Sequence, residues 1–194
     1  MISTVIIVPS QGHDTNSFFA VATDLRAKVY PHAKIVKTTV TKTTAADGSV
    51  SATVALSDGK SPFTFSATPN LTRVLTISHA FSGAGQNLTY GDDSFGDDGS
   101  SQPWGTTAND GTLSAEGKSF WGSVGSSMKV DGKIIMLGCF MGAGNYAASV
   151  AKATQESVFA STDLFAAGNS DSALKYVNAI EKDIVLKPMK RFDP

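Results

Sequence analysis

The sequence predicts a single α/β domain over residues 1–194, with a largely parallel sheet at its centre and an antiparallel hairpin elaboration around 34–67. Three observations predict it. Residues 3–8, 73–79 and 133–139 are apolar, largely branched runs without polar alternation, as strands buried on both faces of a sheet require. Segments with apolar residues at helical spacing separate such runs, which is the rhythm of βα units. Ser49 to Leu56 instead alternates with period two, as a half-exposed hairpin strand does.

Taken in order, the chain opens with the 3–8 strand (Ser-Thr-Val-Ile-Ile-Val) and the loop residues Pro9 to Asp14. A helix follows, with Phe18, Phe19, Val21, Ala22 and Leu25 at helical spacing up to Tyr30, before Pro31. Strands over 34–41 and 49–56 flank Ala45-Ala46-Asp47-Gly48, and Ser57 to Lys60 turns the chain toward Phe63-Thr64-Phe65. The 73–79 strand leads into residues 80–112, a Gly, Ser, Asp and Asn-rich stretch long enough to imply functional use or mobility. Helices are expected over 115–128, about 145–154 and 171–183, and strands over 133–139 and 158–165. There is no internal repeat.

Composition narrows the function. A formal charge of −1 and a pI near 6.3 supply no cationic footprint for nucleic acid or anionic lipid. The apolar N-terminal run stops at Pro9, too short for a signal-peptide core or a membrane span. The expected address is therefore the cytoplasm, although a charged fraction of only 17% also suits a protein exported by a non-classical route.

Two of the buried runs end on reactive residues: Val74 to Ser78 on His79, and Ile134 to Gly138 on Cys139. Cys139 is the only cysteine, so the readings are an apolar core thiol, an intermolecular bridge or a nucleophile. In open α/β sheets ligands bind beyond the carboxyl ends of the strands, which places His79, Cys139 and the 9–14 loop on one rim. Imidazole can take the thiol proton and later protonate a leaving group, so Cys plus His is a sufficient machine for acyl transfer. All three histidines, His13, His32 and His79, precede Cys139, which excludes a papain-like order.

Ser78-His79-Ala80, then Leu137-Gly138-Cys139-Phe140-Met141-Gly142, then Val158 to Asp163, resemble the caspase-like cysteine peptidase superfamily. The likeness is nearest to the caspase-like domains of large bacterial surface proteins. It implies a three-layer caspase–haemoglobinase fold, a His79/Cys139 dyad, and hydrolysis of a peptide or other amide bond through a thioester. It also implies an oxyanion pocket from the backbone N–H groups of Ala80 and Cys139. Gln11, His13, Ser161 and Asp163 are the candidate cleft residues. The family usually places Gly after the histidine, where this chain has Ala80. A non-catalytic caspase-like interaction module is accordingly the alternative.

Other motifs carry less. Asp92, Asp93, Asp97 and Asp98 offer oxygen ligands for a cation, but their spacing is not that of an EF-hand and a solvated acidic loop is the preferred reading. Gly83-Ala84-Gly85 and Gly142-Ala143-Gly144 lack phosphate-loop spacing, so no nucleotide cofactor is expected. Ser126-Ser127-Met128-Lys129 matches Ser-x-x-Lys without its companion motifs. No Cys/His set would make a zinc site.

Overall fold

A computed structural model describes residues 2–10, 14–48, 50–81, 85–86, 106 and 111–194. Its centre is an eight-stranded sheet of order β10-β9-β8-β5-β1-β2-β3-β4. Five adjacent strands, β2 (Lys34–Thr44), β1 (Thr4–Pro9), β5 (Leu71–Ile77), β8 (Met128–Leu137) and β9 (Ser157–Ser161), run parallel. The remaining three pair antiparallel at the two edges: β3 (Val50–Ser57) on β2, β4 (Pro62–Phe63) on β3, and β10 (Met189–Phe192) on β9.

The doubly apolar runs become central strands because each strand feeds two cores at once. Val5 and Ile7, Val74, Ile134 and Met136, and Val158 and Ala160 join one cluster, with Trp121, Val124, Tyr146, Val150 and Ala151 from α2 (Ala115–Ser127) and α3 (Tyr146–Thr154). The intervening residues Ile6 and Val8, Leu75 and Ile77, Ile135 and Leu137, and Phe159 join the other. That second cluster contains Phe18, Val21, Ala22 and Leu25 of α1 (Thr15–Lys28) and Ala173, Val177 and Ile180 of α4 (Ser170–Glu181). The result is three layers, with α1 and α4 on one face and α2 and α3 on the other. Full burial of one such large apolar side chain is worth roughly 1.5–3 kcal/mol, so each of these central strands contributes to both cores.

Side chains cap two helices: the Ser114 hydroxyl accepts the Gly117 N–H at 3.2 Å at the start of α2, and Asn169 Oδ1 accepts the Ser172 N–H at 2.9 Å at the start of α4. Within the α2–α3 layer, Trp121 Nε1 donates to the Tyr146 hydroxyl at 3.2 Å, so this fully buried indole is packing with its polar atom satisfied.

Several element ends differ from expectation. β5 and β8 stop at Ile77 and Leu137, two residues short of the reactive side chains, which lie in the turns beyond. β8 begins earlier, at Met128, because a register shift between Leu71 and Arg73 accommodates an irregular start that includes Asp131 at φ 65°. The 158–165 strand ends at Ser161, and the residues after it turn rather than extend. The short edge strand β10 was not anticipated. Of the helices described, none is long and apolar enough to cross a membrane.

Candidate active site

The β5–β8 register aligns Ile77 with Leu137, and the Ser78 N–H still donates to the Leu137 carbonyl at 3.2 Å. His79 and Cys139 therefore each stand two residues beyond the last paired residues of adjacent parallel strands, at the same end of the sheet. Neighbouring strands lie about 4.8 Å apart, so the two side chains are delivered to one locality by topology alone. Gly138 permits this approach, since a Cβ there would meet the Ser78 carbonyl oxygen at 2.8 Å.

Two groups, one at the N-cap of α1 and one in its first turn, fix His79. Its Nε2 lies 2.8 Å from Asp14 Oδ2, and its ring meets Phe18 edge-on with centroids 5.1 Å apart. A carboxylate can only accept, so this bond keeps a proton on Nε2, and in the neutral ring the lone pair is then on Nδ1. Asp14 is the N-cap residue of α1, yet its side chain makes no capping bond to that helix. The carboxylate reaches the histidine instead.

Cys139 is half-buried. Its thiol donates to the Phe165 carbonyl at 3.2 Å, and the Phe165 N–H donates to the sulfur at 3.3 Å. Phe165 belongs to the segment that connects β9 to α4. That segment is fastened from below: the Ser161 hydroxyl donates to the Asp163 carbonyl at 2.8 Å, and the same carbonyl accepts the Phe140 N–H at 3.0 Å. Asp163 Oδ1 accepts the Leu164 N–H at 2.7 Å. Phe140 itself adopts φ 53°, the left-handed turn that carries the chain away from Cys139.

The remaining sequence candidates are distributed as follows. Ser161 is fully buried beneath the turn with its hydroxyl engaged there, while Asp163 is exposed on the turn's surface. The Ala80 backbone enters a two-residue strand, β6 (Ala80–Phe81), paired with β7 (Gly85–Gln86). Gln11, His13 and the acidic loop at 92–98 lie outside the described residues. Two contributors were not anticipated. Asp14 belongs to the loop that the sequence predicts over 9–14, and its part in the site follows from β1 lying beside β5. The Phe165 backbone carries no sequence signal.

A concavity of about 620 Å3 lies at the opposite end of the sheet, by the starts of β8 and β9. Its cations are already paired, Lys133 with Asp183 at 2.6 Å and Arg191 with Asp193 at 2.7 Å, and neither His79 nor Cys139 lines it. Glu156, beside it, is pushed above the usual carboxylate range by burial and by the nearby Asp131.

The described residues thus define a three-layer α/β protein whose parallel strands deliver a histidine and a thiol to one end of the sheet. No family model matches the sequence, and no curated protein matches it. Among solved structures, the chain is similar to a secreted C11 cysteine protease from Bacteroides thetaiotaomicron, solved in complex with an irreversible peptide inhibitor. The identity is 11% and the TM-score 0.38, over 87% of this chain and 51% of that one. The chain spans about half the length of that protein.

Proposed function

We propose that this protein is a cysteine hydrolase of amide bonds, with a peptide as substrate. The observation that carries the reading is the placement of His79 and Cys139 at equal positions beyond adjacent parallel strands, with the imidazole held by Asp14. In this reading Nδ1 of His79 takes the Cys139 thiol proton as the sulfur attacks the carbonyl carbon. The tetrahedral oxyanion is held by backbone N–H groups at Ala80 and Cys139. Collapse breaks the C–N bond, the imidazolium gives its proton to the departing amine, and a thioester remains on Cys139. Water, deprotonated by His79, then attacks the thioester, releasing the carboxylic acid and restoring the thiol. Asp14 acts through His79, setting its tautomer and stabilising the imidazolium while it exists.

A second reading is a non-catalytic interaction module. The observation favouring it is that the hydrogen bonds of Cys139 among the described residues both go to the Phe165 backbone, as those of a structural thiol would.

One experiment separates the two. Intact-mass measurement of Cys139 alkylation by iodoacetamide, compared between wild type and His79→Ala across pH 5 to 9, is expected to show labelling that falls about tenfold or more when His79 is removed. Slow labelling that ignores His79 in the folded protein would overturn the hydrolase reading in favour of the module.

A further inference from the structure

The wall that touches the sulfur also carries an anomaly of surface chemistry. Leu164, one residue before Phe165, exposes 72% of its surface. An isolated exposed leucine is ordinary on a protein surface, but the backbone that carries this one is pinned on both sides. Its own N–H is tied to Asp163 Oδ1, and on its other side Phe165 is buried, packed at a tilt against Tyr176 with ring centroids 5.2 Å apart, and bonded through both backbone groups to Cys139. The turn is also held against α1, since a Cβ on Gly168 would lie 3.2 Å from Ser17 Cβ. Leu164 is thus an apolar side chain presented on a rigid turn, with its Cα about 3.8 Å from that of the residue clasping the nucleophile.

The geometry of acyl transfer says what such a side chain would meet. In a thioester the carbonyl carbon is bonded to sulfur, and the Cα of the residue that supplied it is the next atom out. The side chain nearest the Phe165 wall is therefore that of the residue preceding the scissile bond. The competing group on the same turn is Asp163, which would favour a basic side chain. The Leu164 N–H holds Asp163 Oδ1 back against its own turn, and the Asp163 carbonyl, which accepts from Phe140 and Ser161, anchors the backbone there. Resting on the hydrolase reading above, we propose that Leu164 is a specificity-determining residue that selects substrates with a large apolar residue immediately before the scissile bond.

The test uses two peptidyl chloromethyl ketones, identical except for Leu or Lys at the residue bearing the electrophile. Rates of Cys139 adduct formation are read by intact mass on wild type and on Leu164→Ser, each divided by the iodoacetamide rate of the same variant. The expected result is a Leu-over-Lys preference of about tenfold or more in wild type, the worth of one well-covered apolar group, falling to about threefold or less in Leu164→Ser. A wild-type preference for Lys, equal rates, no reaction with the Leu probe, or a preference that survives in Leu164→Ser would overturn the assignment. The iodoacetamide arm keeps the two ideas apart. His79-dependent alkylation without a Leu preference refutes the specificity alone, whereas alkylation indifferent to His79 refutes the hydrolase reading beneath it.

Discussion

Asp14 Oδ2 stands 2.8 Å from His79 Nε2, joining the exit of β1 to the exit of β5 across 65 residues of sequence. Because β1 and β5 are hydrogen-bonded neighbours, the bond links the ends of adjacent strands. Asp14→Asn tests what it does. An amide that presents its NH2 group to Nε2 would stabilise the other tautomer, placing the proton on Nδ1 where the hydrolase reading needs a lone pair. Hydrolysis of a peptide substrate is expected to fall by about a hundredfold or more in kcat, with a smaller change in KM, because the bond matters most when the ring is charged. Glutamate at the same position, which restores a carboxylate, should recover part of the rate. A loss shared equally by Asn and Glu variants would assign Asp14 a merely structural role.

Gly138 sets how closely the two turns approach. A Cβ there would lie 2.8 Å from the Ser78 carbonyl oxygen and 3.3 Å from Met141 Cγ, and the first of these is backbone that cannot rotate aside. Gly138→Ala must therefore part the ends of β5 and β8. Urea unfolding is expected to show a loss of about 1–3 kcal/mol, the usual cost of overpacking. Alkylation of Cys139 should at the same time lose part of its dependence on His79. Unchanged stability and unchanged alkylation would mean that the turns have room the present geometry does not contain.

What the sequence made legible follows from which residues state their own surroundings. The runs ending at His79 and Cys139 are apolar on both parities, and only a strand between two helical layers uses both, so the parallel centre could be read directly. The hairpin was legible for the complementary reason, since Ser49 to Leu56 alternates. The overextended 158–165 strand shows where this logic stops. Leu164 and Phe165 continue the apolar run of β9, but the Ser161 hydroxyl bonds the Asp163 backbone and breaks it. Phe165 then reaches the α1–α4 core from a turn instead of a strand. β10 escaped notice because Met189 to Phe192 carries two exposed cations at an edge, with only Met189 buried. His79 and Cys139 could be nominated singly, each from its own segment. The Asp14 bond needed knowledge that β1 adjoins β5, and the Phe165 clasp uses backbone atoms that every residue has.

At the end of the sheet remote from His79, Arg73, Glu181 and Tyr30 tie β5 to the end of α4 and to the exit of α1. Arg73 Nε and Nη2 donate to the two Glu181 oxygens at 2.6 and 2.7 Å, and the Tyr30 hydroxyl donates to Oε1 at 2.6 Å. Burial alone would raise the Glu181 carboxyl, but the bonds from Arg73 and Tyr30 outweigh it and hold the group below its ordinary value. Burial and the adjoining carboxylate push Tyr30 well above the ordinary tyrosine range, so it remains a donor throughout the accessible pH range. A carboxylate whose folded pKa is depressed adds stability that is complete above its unfolded value, about 4.3, and is lost as the pH falls through the folded value. Glu181→Gln should cost about 1–3 kcal/mol at pH 7, because it removes the charge that satisfies a partly buried guanidinium. The difference between wild type and variant, followed by urea unfolding from pH 7 downward, should hold to about pH 5 and shrink below about pH 4. A gap that stays constant down to pH 3 would show that the cluster stabilises through packing of the side chains and not through the charge on Glu181.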